Sequence, residues 1–264
     1  MIGFSLYNYQ MLSWGSKRQL IIAGSFIMAA ILAFGIPTYL HFANKPMTCS
    51  DRIQNQNETG VDCGGPCSKI CADDSKQPMV YYTRIFKVSD GKYNVFALVE
   101  NTNQGVFSPQ AEYSFKLYSK DNVLLNEKTG TTVIPPGRVF PIFEYGLDTG
   151  TRIPQSVGFA ISDNINWQRG VFPEADLSID NKGLSSTSTA PVLEANILNN
   201  EVRTVTNIKA VGLVYDQNEN VIAASQTYID SIPSKGTKTI FFAWSTPFSD
   251  IPNKTQIFLI PNSL

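Results

Sequence analysis

The sequence predicts a mainly β protein with one N-terminal transmembrane α-helix, a small disulfide-rich stalk and two tandem β-sandwiches. Three observations support this prediction. Residues 20–42 carry no formal charge, four cysteines follow within 23 residues, and the remaining chain alternates polar and apolar residues in short segments. The predicted segments are a cytoplasmic tail (1–19), the membrane helix (20–42), the Cys-rich stalk (43–78), the first sandwich (79–163) and the second sandwich (164–264).

The uncharged run is long enough to cross a membrane, which requires about 20 mainly apolar residues. Lys17 and Arg18 stand directly before it, and no Asp or Glu occurs in the first 42 positions. Because basic residues are retained in the cytoplasm, we expect a single-pass cell-membrane protein with its C-terminal domains outside. A cleaved signal peptide is the alternative, but the length of the run favours an uncleaved signal anchor. Pro37 is expected to kink or end the helix.

Composition excludes several function classes. Two of the 21 basic residues and none of the 22 acidic residues fall in the first 42 positions, which leaves 19 against 22 and a net charge of −3 beyond them. Nucleic-acid binding requires a basic surface, so no nucleic-acid partner is expected. The only histidine, His41, lies at the membrane boundary, where it cannot supply a catalytic triad or a zinc site to the exposed part.

Carboxylate-pair and Ser/Lys chemistry remain open by composition. However, the sequence contains no G-x-S-x-G motif, no P-loop and no dinucleotide-binding G-x-G-x-x-G motif. We therefore expect that the protein is not an enzyme and has no catalytic residues.

The four cysteines define the first candidate site: Cys49, Cys63, Cys67 and Cys71. On the oxidising side of a membrane they indicate two disulfides, and the spacing leaves all three connectivities open. So small a segment buries little apolar surface, so crosslinks of roughly 2–4 kcal/mol each are expected to stabilise it. Zinc is the alternative, but gaps of thirteen, three and three residues differ from paired Cys-x-x-Cys knuckles.

The same segment is a candidate calcium site, because five oxygen-bearing side chains fall within twelve positions. They are Asp51, Asn55, Asn57, Glu58 and Asp62. The alternative, which we favour, is that these side chains form Asx-turns and caps in a loop-rich segment. The stretch N-E-T-G-V-D-C-G-G-P-C around Cys63 resembles a short Cys-rich motif of predicted bacterial surface proteins. That resemblance implies a surface location and no activity.

Alternating segments follow, separated by turn signals such as Pro135-Pro-Gly137. In the first sandwich the predicted strands are 80–88, 92–101, 111–118, 123–129, 138–147 and 156–162. The pattern recurs 97 to 99 residues later, where 97–101 matches 195–199 and Leu117-Tyr118 matches Val214-Tyr215. So constant an offset indicates a tandem repeat, with the boundary near 163–167.

A family resemblance adds to this pattern. The stretch from Phe115 to Ser119, F-K-L-Y-S, and the later step I-P-P-G resemble the FxLYD-type domain, an immunoglobulin-like sandwich of bacterial and archaeal envelope proteins. The first copy has Ser119 where the family has Asp, and the second keeps Tyr215 and Asp216 without the spaced Phe. The resemblance implies two immunoglobulin-like β-sandwiches in a bacterial cell envelope, with no defined active site.

Together these features predict a membrane-anchored envelope protein that presents two sandwiches as a structural or partner-binding module. An envelope protein is the expected partner, although only analogy at the level of the fold supports that step. The alternative is a sensor, in which calcium or thiol redox in residues 49–71 changes the angle between membrane and body. Calcium is the only candidate cofactor.

Overall fold

The computed structural model describes residues 14–43, 49–55, 57–71 and 74–261. The chain falls into two compact units, 1–48 and 49–264. The first unit contains an apolar helix, and the second is built from β-strands and carries two disulfides. The predicted fold class is therefore confirmed.

The N-terminal helix consists of α1 (Trp14–Ala30), a π-helical turn (Ile31–Gly35) and α2 (Ile36–Ala43). Within it, the 28-residue stretch from Trp14 to His41 is long and apolar enough to cross a membrane. The helix begins inside the predicted tail and does not end at Pro37. Instead, the Ile36 N–H donates to the Ile31 carbonyl five residues back. This wider turn accommodates the proline ring, which would clash with the carbonyl four residues before it in a regular α-helix.

The second unit contains thirteen strands within its described residues. They are β1 (Met79–Ser89), β2 (Lys92–Glu100), β3 (Val106–Tyr118), β4 (Leu124–Ile134), β5 (Val139–Asp148), β6 (Ser156–Ile161), β7 (Gln168–Arg169), β8 (Leu177–Ser185), β9 (Val192–Asn199), β10 (Val205–Tyr215), β11 (Val221–Ile232), β12 (Thr237–Ala243) and β13 (Lys254–Pro261). All six strands predicted for the first sandwich are present, with shifted bounds.

The first sandwich packs the sheet β1-β2-β5 against the sheet β4-β3-β6. Alternate residues of each strand face the space between the sheets, as the period of two in the sequence requires. The largest fully buried side chains of this core are Phe115, Leu117, Ile134, Phe140 and Ile142.

The second sandwich repeats this strand order. Its sheets are β8-β9-β12 and β11-β10-β13, so each strand has a counterpart in the first sandwich. The core between them includes Leu193, Ile197, Ile229 and Phe242. Gly212 on β10 makes room for the Phe242 ring, because a Cβ at this glycine would lie 2.9 Å from the ring.

The boundary between the sandwiches lies later than the predicted 163–167. Strand β7 pairs with β3 of the first sandwich. Trp167, directly before β7, is 2% exposed and belongs to the first core. The connection to the second sandwich is therefore residues 170–176, between β7 and β8.

Each sandwich contains one fully buried asparagine at the end of its second strand. The Asn101 side-chain amide donates to the Pro135 carbonyl at 2.8 Å, and the Asn199 amide donates to the Pro233 carbonyl at 2.9 Å. In both cases the side-chain oxygen accepts the N–H of the residue two positions later. These bonds satisfy polar groups that would be costly to bury unpaired.

A third apolar core joins the two sandwiches. The sheet β1-β2-β5 contributes Phe96 and Phe143, and the facing strand β10 contributes Val211, Leu213 and Tyr215. All five are at most 8% exposed. The second unit is therefore a stack of four sheets, and the central strands of its two inner sheets, β2 and β10, are mostly buried.

The outer face of the first sandwich, on β3, is polar at the positions that correspond to the interface residues of β10. Ser114 and Lys116 of β3 point away from the core that Phe115 and Leu117 enter, and both are partly exposed. Lys116 forms an ion pair with Glu127 on β4, with an N–O distance of 3.4 Å. The equivalent strand β10 has apolar residues at these positions, and it is this face of β10 that contacts the first sandwich.

Lys209 is the only lysine among the buried residues that the structure describes, at 6% exposed. It precedes Val211 on the face of β10 that contacts the first sandwich. Burial lowers its pKa from the ordinary 10.5, and the charge of Glu144 partly opposes this shift. The folded chain therefore binds fewer protons than the unfolded chain between the two pKa values. It follows that the free energy of unfolding rises as the pH increases through this window and decreases again as the pH falls through it.

We expect Lys209→Met to raise the free energy of unfolding of the full chain by on the order of 1 kcal/mol at neutral pH, because it removes a buried charge. The variant should also weaken the rise in stability between neutral pH and pH 10. Melting curves recorded across this range measure both effects. Lys238→Met, at an exposed position on β12, is the matched control, and a Lys209→Met protein less stable than this control contradicts the prediction.

Candidate functional site in the Cys-rich segment

The structure pairs Cys49 with Cys67 and Cys63 with Cys71, with Cα–Cα distances of 5.7 and 5.1 Å. The prediction of two disulfides is confirmed, and one of the three connectivities is selected. Cys67 is 3% exposed, whereas its partner Cys49 is partly exposed. The first bridge therefore joins a partly exposed cysteine to a buried one.

Tight turns bring the cysteines together. Gly65 has a φ of +53°, and a Cβ there would lie 2.1 Å from the Asn57 carbonyl oxygen. At Gly60 a Cβ would lie 2.8 Å from the sulfurs of Cys63 and Cys71. These positions require glycine because any side chain would collide with the backbone or with the second bridge.

The Cys-rich segment packs on the first sandwich, which differs from the predicted stalk at 43–78. Ile70 is 4% exposed within the first core, and its N–H donates to the Trp167 carbonyl at 3.0 Å. Next to it, the Arg169 N–H donates to the Ser68 carbonyl at 2.6 Å. Residues 68–70 therefore extend the sandwich through β7. Positions 44–48, 56, 72 and 73 of the predicted stalk lie outside the described residues.

Two of the five candidate calcium ligands are aspartates, and both bond to nearby amides. Both carboxylate oxygens of Asp62 accept the Arg52 N–H at 3.0 Å. Asp51 accepts the Ile53 N–H at 2.9 Å and the Asn55 side-chain amide at 3.0 Å. The bond from Ile53 to Asp51 two residues before it is an Asx-turn of the alternative interpretation, whereas the bond from Arg52 to Asp62 joins residues ten positions apart.

The other three candidates lie in the same loop but in different surroundings. Asn57 is exposed and has a φ of +69°. The side-chain oxygen of Asn55 is buried without a hydrogen-bond partner among the described residues. Glu58 is 8% exposed, and its Oε2 lies 3.3 Å from the amides of Asn55 and Asp62.

The remaining oxygen of Glu58 faces the first disulfide. Its Oε1 lies 3.1 Å from the Cys67 Sγ. Among the described residues, the only group of three His, Cys, Asp or Glu ligand atoms within 4.8 Å is formed by Cys49, Glu58 and Cys67. The sequence offers Glu58 only as a candidate calcium ligand or turn residue and does not predict this contact, because nothing in the spacing indicates that residue 58 folds back onto residue 67.

Comparison with known proteins does not assign a family. No protein-family model matches the chain, and no curated protein matches it. Among solved structures, red sea bream transglutaminase is similar at 8% identity and a TM-score of 0.22 over 70% of this chain and 31% of that chain. A β-glucuronidase from glycoside hydrolase family 2 is similar at 11% identity and a TM-score of 0.21 over 84% of this chain and 26% of that chain. This chain thus spans less than a third of either protein, and TM-scores this low do not establish a shared fold.

We expect Asp62→Asn to lower the free energy of unfolding by about 1 kcal/mol, because it removes charge from the bonds to the Arg52 amide. If the segment only forms turns, millimolar calcium should leave this loss and the wild-type melting temperature unchanged. Melting curves of the full chain with calcium or with a chelator measure this. Asp121→Asn, in an exposed loop, is the control. A calcium-dependent rise that the wild type shows and Asp62→Asn lacks would instead support a calcium site.

Proposed function

We propose that this protein is a single-pass, membrane-anchored envelope protein that presents two β-sandwiches outside the membrane as a structural or partner-binding module. The long apolar helix supports an anchor. Lys17 and Arg18 before it support an N-terminus in the cytoplasm. The two disulfides support an oxidising, extracytoplasmic setting for the body.

The observation that carries this proposal is the apolar core between the sandwiches. Domains joined by a small polar interface usually move relative to each other. Here Phe96, Phe143 and Leu213 are buried between the inner sheets instead. The pair therefore presents its two outer sheets at a fixed separation, which suits a spacer or a docking body.

The shared architecture supports a further part of the proposal, that the sandwiches are duplicated immunoglobulin-like domains of the FxLYD type. The strand order is the same in both. Ser119 and Asp216 occupy the family's Asp position in the two copies. Each side chain accepts the N–H groups two and four positions later, and so forms the same turn.

We also propose that the role is not catalytic. The single histidine, His41, lies in the N-terminal helix. The buried polar side chains with equivalents in both sandwiches, Asn101 and Asn199, bond to backbone groups that hold turns. Their arrangement serves folding of each sandwich.

A membrane-impermeant, photoactivatable maleimide tests compartment and partner binding together. We expect it to label Thr129→Cys and Phe241→Cys, on the two outer sheets, in intact cells. Ser16→Cys should react only after permeabilisation. On irradiation, at least one outer-sheet position should yield a discrete crosslinked product that Thr187→Cys, in an exposed turn, does not.

Two results contradict the proposal. Labelling of Ser16→Cys alone in intact cells would reverse the orientation. Identical diffuse crosslinking from all three exposed positions would remove the partner-binding role while leaving the anchor intact.

One specific observation favours a second candidate function, a redox sensor. A disulfide sulfur carries no hydrogen, so Glu58 Oε1 receives no hydrogen bond from Cys67 while the bridge is closed. In the dithiol, the Cys67 S–H can donate to this carboxylate at the observed distance of 3.1 Å. A hydrogen bond present only in the reduced form stabilises that form and makes the bridge easier to reduce.

We expect Cys49–Cys67 to be reduced at a less negative potential than Cys63–Cys71. Glu58→Gln should lower the midpoint reduction potential of Cys49–Cys67 by about 30 mV or more, which is the equivalent of one charge-assisted hydrogen bond. Differential alkylation and mass spectrometry of the full chain in glutathione buffers measure both bridges. Thr59→Val, which alters a contact to Cys71, is the control. If the two disulfides have equal midpoint potentials in the wild type and remain equal in Glu58→Gln, the sensor is ruled out.

A further inference from the structure

A cavity of about 510 Å³ lies where the two sandwiches meet the connecting segment 170–176. Its walls come from the start of β5 and from β8, β10 and β13. Because the sandwiches contact each other through their inner sheets, this space remains at one end of the contact. Its volume is within the range of about 300–1,000 Å³ that is typical of small-molecule sites, which often form between domains.

The inner end of the cavity is apolar. Phe140, Ile208 and Ile260 line it and are 1%, 4% and 4% exposed. Over the whole lining, thirteen of the eighteen residues are apolar and two are threonines. The other three are charged, and all of them lie at the outer end. The inner end therefore suits a hydrocarbon group and offers no charged partner to a polar ligand.

The outer end carries all the charge of the lining. Arg138, Glu174 and Arg203 line the cavity with side chains that are 43%, 52% and 62% exposed. Arg138 and Glu174 form a two-pronged ion pair, with a distance of 2.7 Å between Nη2 and Oε2. Arg203 forms an ion pair of its own, in which its Nε donates to Glu201 outside the cavity at 2.9 Å, so its Nη groups are the donors left for a ligand.

The connecting segment forms a cover that is fixed at two points. The Phe172 ring lies edge-on to Phe107, with 5.4 Å between the centroids. Two residues later Glu174 bonds to Arg138, whose guanidinium lowers the pKa of the carboxyl below its usual value. The cover is therefore held by one apolar and one ionic contact to the first sandwich.

We propose that this cavity binds a free fatty acid, with its hydrocarbon chain at the apolar inner end and its carboxylate at Arg203. An apolar interior with guanidinium donors at its opening is complementary to a single-chain amphiphile with an anionic head group. Arginine matches a carboxylate because its planar guanidinium presents paired N–H donors. This inference goes beyond the presenting role and does not depend on it.

A photoactivatable fatty acid tests the proposal on the full chain in lipid nanodiscs. We expect peptides from 170–179 and from β13 to carry the label, as identified by mass spectrometry. Ala175→Trp should abolish labelling because the indole fills the cavity, and Ile179→Trp, at a lining position that is 39% exposed, provides a second block. Ala243→Trp, an exposed position on β12, should label like the wild type.

The head group is tested by competition. Decanoate should displace the label roughly tenfold more effectively than decanol, since a charge-assisted hydrogen bond contributes at least this factor. Arg203→Gln should remove that preference, and Arg152→Gln, in an exposed turn, should retain it. Labelling that is spread over the outer sheets would contradict the proposed site. Labelling that is undiminished in both cavity-filling variants would contradict it as well. Equal competition by decanoate and decanol would overturn the assignment of the ligand.

Discussion

The apolar contact between the inner sheets determines the architecture of the folded body. Along β10 the side chains point alternately into the core of the second sandwich and into the interface with the first. All residues from Ile208 to Tyr215 are buried. A sheet with two buried faces needs cover on both sides, so neither inner sheet could remain as it is in an isolated sandwich. The four-layer stack, the position of the connecting segment and the cavity beside it all follow from this contact.

Periodicity in the sequence was sufficient for the regular parts of the fold. The strands of the first sandwich and the apolar helix follow from spacing that is local to each segment. The boundary after β7 was missed because a strand of two residues, Gln168–Arg169, has no measurable alternation. The alignment of the two sandwiches at these strands also needs the structure. Pairing places Phe143 opposite Phe96 and Phe241 opposite Glu194, so Phe241 is the counterpart of Phe143.

The Cys-rich segment illustrates a different limit of prediction. Four closely spaced cysteines predict crosslinks, but only the folded loop determines which sulfurs meet. Nor does the spacing reveal that Ile70 enters the core of the first sandwich, since a single isoleucine among polar residues has no periodic context. The position of Glu58 against Cys67 depends on both bridges and on the turn at Gly65. A carboxylate that resembles a metal ligand in the sequence thus belongs to the surroundings of a disulfide in the structure.

The two sandwiches meet through faces that are not equivalent: the β1-β2-β5 side of one contacts the β11-β10-β13 side of the other. Such a head-to-tail, heterologous arrangement has no symmetry that closes it, and in principle further copies could be added without end. Ser114 and Lys116 stand where Val211 and Leu213 would continue the series. The polar residues at these positions give the first sandwich an outer face unlike the apolar face through which β10 meets its neighbour.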